Sequence, residues 1–247
     1  MYKKKLIYGI ITAREGSKSI PNKNIKLLNG KPLVFYPIQT SLKSKYIDKT
    51  FISTDGKKIA TLAKKFKCQV PFLRPKKYSG DKSTDYEVFR HLSNWLQKKN
   101  ILPDYFVHLR PTLPIRNIRL VDIAIKKIID NKNYDSLRSL SVAKETPFKM
   151  WLKHKRLIKP VINSKKFKES HSVPRQILPI TYWQNGYVDI FKATTVIKKK
   201  SMTGSKVMPF LIKEDIIDID YIEDYRNLKK NFYKLKKSKK KKIRHPN

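Results

Sequence analysis

Thr12-Ala13-Arg14-Glu15-Gly16-Ser17-Lys18-Ser19-Ile20-Pro21-Asn22-Lys23-Asn24 follows directly on an apolar run over residues 6–11. The run reads as a buried strand. The stretch after it reads as a loop with one glycine, hydroxyls, an asparagine pair and the cations Arg14, Lys18 and Lys23. Open α/β sheets bind ligands at the carboxyl ends of their strands. Backbone amides and fixed cations at such a place hold phosphates. The spacing is not that of a Walker P-loop, which requires four residues between a glycine and Gly-Lys-Ser/Thr. A triphosphate site on Arg14, Ser17, Lys18, Lys23 and Asn24 is therefore one reading, and a solvated basic loop is the plainer one.

Outward from this loop, strand and helix signals alternate. Residues 50–53, 105–109, 136–142 and 187–191 read as further strands, and 37–46 and 57–66 as helices. Thr84-Asp85-Tyr86-Glu87 has capping-box spacing and opens a helix through Gln97. Val121, Ile125 and Ile128 share one helical face, and Leu228, Phe232 and Leu235 suggest a closing helix. This order predicts an α/β fold with a mainly parallel sheet and helices on both faces. Residues 144–186 are rich in Pro, Lys and aromatics without a period, and read as an insertion or arm that contains a small hairpin. The chain then divides into a single domain over residues 1–233 and a basic tail over 234–247, expected to be disordered.

The chain has 247 residues and carries 57 Lys+Arg against 19 Asp+Glu, a formal charge of +38. The lysines are spread along its length, so specific nucleic-acid binding is not expected; charge alone supports a salt-sensitive, non-specific mode. A positive field does attract nucleotide triphosphates and acidic sugars. No run is long enough to span a bilayer, so no membrane partner is expected. Cys68 is the only cysteine, which fits a reducing compartment, the cytoplasm. The five histidines show no ligand spacing.

Asp218 and Asp220 lie among Ile216, Ile217 and Ile219. On a strand they would leave the same face. Paired carboxylates in an apolar setting suit a hard divalent cation, Mg²⁺ above all, which takes oxygen ligands and bridges phosphates. A solvated strand end is the alternative. Asp55 and Asp215 are weaker candidates.

Arg14-x-Gly16-Ser17-Lys18, Lys23-Asn24 and Leu28-x-Gly30-Lys31-Pro32-Leu33 together resemble the opening signature of the acylneuraminate cytidylyltransferases, the CMP-sialic acid synthetases. Ser53-Thr54-Asp55, Leu73-Arg74-Pro75, His108-Leu109-Arg110-Pro111-Thr112-x-Pro114-x-Arg116, Pro174-Arg175-Gln176, Asn185-Gly186 and Ile217-Asp218-Ile219-Asp220 follow in the same order. The resemblance covers about residues 6–230. It implies a Rossmann-like nucleotidyltransferase fold with a protruding arm. It also implies transfer of CMP from CTP to the anomeric hydroxyl of an acylneuraminate-like 2-keto-3-deoxy sugar acid, with release of pyrophosphate.

By the same resemblance, Arg14 and Lys23 contact the phosphates, Asn24 orients them, and Asp218 and Asp220 hold the metal. Arg74 meets the cytosine or its ribose, and the loop of Asp81, Ser83 and Thr84 reads the base. Arg110, Lys149, Arg175, Asn185 and Asp189 fall on the sugar side. Arg116 is a further cation there, and Tyr182 and Trp183 are candidate lining. The arm would pair two subunits as a homodimer. The chain departs from that pattern where Glu15 and Ser19 replace glycines, where Arg110 replaces the usual Gln and where Asp189 replaces a Tyr. An aromatic pair expected near residues 201–203 is missing. The first two fall on the phosphate loop; the departures at Arg110, Asp189 and residues 201–203 fall on the sugar side and point to a different acid sugar. A related nucleotidyltransferase for another sugar phosphate is the nearest alternative, and a non-catalytic basic nucleic-acid-binding protein the more distant one.

Overall fold

The computed structural model of the protein describes residues 2–241. At its centre is β1 (Ile7–Thr12), buried along nearly its whole length. Such a run must be covered on both faces, as in parallel α/β sheets. Its neighbours β4 (Lys49–Ser53) and β5 (Tyr105–His108) both run parallel to it. Beyond β5 lies β9 (Tyr182–Lys192), antiparallel both to β5 and to β6 (Ser136–Val142). The sheet closes with β10 (Val207–Leu211), parallel to β6. Its order is β10-β6-β9-β5-β1-β4, with β9 the reversed strand.

Helices cover both faces. Val121, Ala124, Ile125 and Ile128 of α4 (Ile118–Asp130) pack with Ile7, Val107 and Leu137 on one side. Phe89, Leu92 and Leu96 of α3 (Asp85–Lys98) pack with Tyr8, Ile10 and Phe106 on the other. Val34 and Ile38 at α1 (Phe35–Lys43) meet Ile59 and Ala63 of α2 (Lys57–Lys65) over Ile11 and Ile52. Thr84 caps α3 through the reciprocal Thr84–Glu87 box expected from the sequence. A short hairpin, β2 (Leu27–Leu28) and β3 (Lys31–Pro32), turns on Asn29 and Gly30. Both have positive φ, as a two-residue type I′ connection requires.

Residues 143–181 leave the main sheet and carry a second hairpin, β7 (Trp151–His154) with β8 (Leu157–Pro160). Leu152, Leu157, Ile158, Ile177 and Ile180 in this arm are all more than half exposed. The short α5 (Ala193–Ile197) follows β9. The last helix, α6 (Ile222–Lys241), runs into the lysine-rich end, so residues 234–241 are helical rather than disordered as the composition suggested. Residues 242–247 of that tail lie outside the described residues.

One cluster sets the site. Tyr225, Leu228 and Phe232 of α6 pack with Ile20 in the β1 loop and with Leu28 and Leu33 just after it. Ile219 is fully buried among them. The segment carrying Asp218 and Asp220 is irregular and belongs to no strand, against the strand expected from its alternation. Ile219 anchors it instead. Its N–H donates to the Thr112 carbonyl at 3.0 Å. Ile219→Ala will lose its packing and leave a cavity, at about 2–5 kcal/mol. Thermal unfolding checks this, and it should be matched by a loss of nucleotide binding.

Candidate active site

The carboxyl ends of β1 and β5 open on a cleft of about 490 Å³. Arg14, Ser17, Lys18, Lys23 and Asn24 line it from the β1 loop, and Arg74 and Ser83 line it from the segment before α3. These seven residues and Asp81 are on its wall, whereas Thr84, also assigned to the base, is not and serves as the cap of α3. Asp81 and Asp85 are the two carboxylates on a lining that also carries five Lys and Arg side chains. The excess of cations suits a polyanion.

The loop is held from below. Asn24 donates its amide to the Arg14 carbonyl at 2.7 Å, closing the turn on itself. Asp55, considered above as a metal ligand, accepts from the Glu15 N–H at 2.9 Å and pins the loop instead. Neither Glu15 nor Ser19 needs positive φ, so the absent glycines leave no strain there. Arg14 and Lys18 both reach across the cleft to Asp81, at 2.8 and 2.6 Å. Their contacts hold the Asp81 carboxyl below its ordinary value. An internal anion thus pairs two of the loop cations.

Lys23 links this loop to the end of the chain. Its ammonium donates to the Ile219 carbonyl at 2.9 Å, between Asp218 and Asp220. Desolvation lowers the Lys23 pKa, and the two aspartates oppose that shift. Asp220 is pushed upward by desolvation and then by Asp218. The Asp218 Oδ1 is buried and has no hydrogen-bond partner. A buried carboxylate oxygen left bare is costly unless a cation meets it. Two neighbouring carboxylates supply the oxygen donors a hard divalent ion takes. Among the described residues no set of three His, Cys, Asp or Glu surrounds such a position. The pair would share its ion with waters and phosphates, as Mg²⁺ commonly does. Asp215 is exposed.

The residues assigned to the sugar side separate into two groups. Lys149 and Arg175 lie exposed in the arm and do not line the cleft. Tyr182 and Trp183, also considered for the pocket, are half exposed at the start of β9 and are not on its lining either. Arg110 lines the cleft, and Asp189 is fully buried behind it. Asp189 Oδ2 meets Arg110 at 2.6 Å and Arg138 at 2.7 Å. Its carboxylate is engaged by these arginines rather than offered to a ligand.

Asn185 is also buried. Its amide donates to Ser141 Oγ and its carbonyl accepts from the Tyr187 N–H. With Gly186 at φ +64°, it builds the bulge where β9 slips its register against β6. Asn185-Gly186 is thus a backbone device that lets β9 pass Arg110, whose Nη1 lies 3.4 Å from where a Cβ on Gly186 would stand. Arg116 is partly buried and donates to the carbonyls of Tyr187, Leu113 and Arg110, and desolvation lowers its pKa to about 10. It buttresses the wall and is not on the cleft lining. His108 is buried and held neutral, its pKa driven to about 3 by burial, and it contacts Thr12 Oγ1 at 2.9 Å.

Sequence reading had passed over Thr12, Tyr78, Asp85 and Thr112 on the cleft wall. Asp85 had a signal: it is the first residue after a capping-box threonine, where a helix end favours a carboxylate.

A family model described as Cytidylyltransferase matches residues 8–238. The pseudaminic acid cytidylyltransferase of Campylobacter jejuni is 36% identical over 124 residues, 50% of this chain and 53% of that protein. The match thus spans about half the length of that relative. The CMP-N,N'-diacetyllegionaminic acid synthase of Legionella pneumophila is 30% identical over 220 residues, 87% of this chain and 90% of that protein. Among solved structures, a CMP:2-keto-3-deoxy-manno-octonic acid synthetase complexed with CTP shares the fold. Its TM-score is 0.69 at 12% identity, over 93% of this chain and 99% of that one. With the family pattern running through nearly all of its sheet and its site, the chain belongs to the cytidylyltransferase family.

Proposed function

We propose that the protein transfers CMP from CTP to the anomeric hydroxyl of an acylneuraminate-like 2-keto-3-deoxy sugar acid and releases pyrophosphate. The observation that carries this reading is the contact of Lys23 with the Ile219 carbonyl, which brings a phosphate-type loop against two carboxylates nearly two hundred residues later. The relatives named above are cytidylyltransferases and CMP-sugar acid synthases, and this supports the reading.

In this scheme Arg14, Ser17, Lys18 and Lys23 bind the triphosphate. Arg74 and Ser83 lie on the opposite wall, where the base would rest. Positioning and charge neutralisation dominate phosphoryl-type transfer. Lys23 and Arg14 neutralise charge as it grows on the departing pyrophosphate. Asp218 and Asp220 are the residues that would hold Mg²⁺, which when bound polarises phosphate oxygens and assists ionisation of the attacking hydroxyl. The exposed apolar residues of the arm suit a homodimer interface, and Lys149 and Arg175 would then serve a neighbouring subunit's cleft.

Asp81 must give up Arg14 and Lys18 to the incoming phosphates. Asp81→Asn is therefore expected to tighten pyrophosphate binding by about 2- to 5-fold, since partly exposed ion pairs are worth little. The gain should shrink as salt is raised. Titration calorimetry with pyrophosphate at two salt concentrations checks both.

The reading as a whole is tested by incubating the protein with CTP, Mg²⁺ and a set of 2-keto-3-deoxy sugar acids. Mass spectrometry should find a CMP-linked product and matching pyrophosphate with at least one acid. CTP left intact with every acid would contradict it.

A further inference from the structure

We propose that the layer formed by α1, α2, α6 and the β2–β3 hairpin is a docking surface for an anionic lipid bilayer, held by its lysines and by a few exposed apolar side chains. The proposal goes beyond the transfer reaction above and does not depend on it.

The four elements form one continuous surface. Phe35 of α1 packs edge-on to Phe66 at the end of α2, with ring centroids 5.0 Å apart. Tyr36 of α1 packs on Phe232 of α6 at 5.8 Å. The Tyr225 and Tyr233 hydroxyls of α6 donate to the Leu27 carbonyl and to Asn29 Oδ1, which ties the hairpin to α6. Along this layer the charge has one sign. Residues 16–47, 56–80 and 225–247 contain no Asp or Glu. Lys57, Lys58, Lys64 and Lys65 of α2 and Lys229 and Lys230 of α6 are all exposed. The helices of the layer carry two carboxylates, Glu223 and Asp224, both in the first turn of α6. The first pairs with Arg226, and the second accepts from the N–H groups of Asp220 and Tyr221. Lysines that are spread along the sequence thus meet on one surface of the fold.

Any polyanion would meet these lysines. The apolar part of the layer decides which one fits. Leu27 of the hairpin is 56% exposed, Leu42 of α1 41% and Tyr233 of α6 72%. A groove of about 190 Å³ opens between α1 and α6, lined by Phe35, Tyr36, Ile115 and Phe232 together with Lys43. Nucleic acid binds through phosphate contacts and base edges and would leave these apolar groups idle. A bilayer uses both kinds. Each lysine that comes close to anionic headgroups strengthens binding about fivefold, and Leu and Tyr side chains enter the headgroup boundary.

Docking of this kind needs no spanning segment, so the shortness of the apolar runs does not bear on it. It leaves the cleft residues free, since none of these lysines is on the cleft lining. The attachment is reversible and salt-sensitive, because surface charge is screened over about 8 Å at physiological ionic strength. The opposite face of the sheet provides a control. Ile11 lies beneath α1, whereas Tyr8 and Ile10, on the other side of the same strand, lie beneath α3. There α3 mixes Asp85 and Glu87 with Arg90 and Lys98.

The test is co-sedimentation of the full chain with vesicles of phosphatidylcholine alone and of phosphatidylcholine mixed with phosphatidylglycerol. The protein should bind the mixed vesicles, release them as salt is raised and ignore pure phosphatidylcholine. Lys58→Glu, Lys64→Glu and Lys229→Glu together should weaken binding by about a hundredfold or more. Arg90→Glu, Lys98→Glu and Lys99→Glu, exposed on and just after α3, change the net charge equally and should weaken it by less than about tenfold. The milder Lys58→Gln, Lys64→Gln and Lys229→Gln triple should move in the same direction as its Glu counterpart, so that a folding defect in the reversed-charge protein does not decide the result. Leu27→Ser with Leu42→Ser should weaken vesicle binding by about tenfold and leave binding to a random DNA duplex unchanged. Equal losses from the two Glu triples would overturn the assignment, because overall charge rather than this layer would then carry the binding. It would also be overturned by absence of binding to the mixed vesicles, by equal binding to both kinds, or by tighter binding to the duplex than to the mixed vesicles, which would make the layer a nucleic-acid surface.

Discussion

Asp220→Ala, alone or with Asp218→Ala, will lower CMP transfer by about a thousandfold or more, while the protein stays folded. The size follows from what the pair is asked to do. A metal ion on a transferring phosphate supplies several kcal/mol of charge stabilisation, and each 1.4 kcal/mol is about tenfold in rate. The fold should tolerate the change because the anchor of the segment is Ile219, buried between the two carboxylates. Removing Asp220 also relieves a repulsion, since Asp218 helps to raise its pKa. A group raised in this way protonates sooner on acidification than an ordinary aspartate. Protons and Mg²⁺ compete for this carboxylate, so Mg²⁺ affinity, and with it activity at limiting Mg²⁺, should fall as the pH is lowered. Steady-state transfer across pH, with a thermal melt of each variant, reads both effects.

Lys23→Ala is expected to cost about 10²–10³ in turnover, the range for removing one preorganised donor to developing charge. Only one hydrogen bond to the Ile219 carbonyl is lost from the folded state, about 1 kcal/mol. Activity and stability should thus part company in this variant. The pH dependence gives a second check. Desolvation lowers the Lys23 pKa, so its positive charge is lost at a lower pH than for a free lysine. The alkaline limb of the wild-type profile should begin below 10.5 and move upward in Lys23→Arg, whose guanidinium does not deprotonate. A Lys23→Ala protein with normal turnover would break the link between the loop and the reaction.

Much of the site was legible because its signals are local. The change from a buried apolar run to a cationic loop at residues 11–14 needs no tertiary information, and the capping box at Thr84 marks the start of α3 unaided. The direction of β9 was not legible. A residue's apolar character says nothing about which way its strand runs, and β9 enters the sheet antiparallel after the long arm. β10 was passed over because Pro209 demotes a short run, although proline is tolerated at a sheet edge. Ile217 and Ile219 imitated a strand. Their spacing arises because one side of an extended segment is buried under α6, with no partner strand. Asn185 and Asp189 looked like pocket residues, yet the first shapes a bulge and the second lies beneath an arginine. Burial of a charge becomes visible only when its partners, Arg110 and Arg138, are brought from distant positions.

The central claim is that the β1 loop and the late acidic pair hold one nucleotide together. Titration calorimetry of CTP, with and without Mg²⁺, tests it most directly. The wild type should gain CTP affinity from the metal. Asp218→Ala with Asp220→Ala should keep the metal-free affinity and lose the gain, while Lys23→Ala should weaken both. A metal-dependent gain that survives intact in the double aspartate variant would contradict the account.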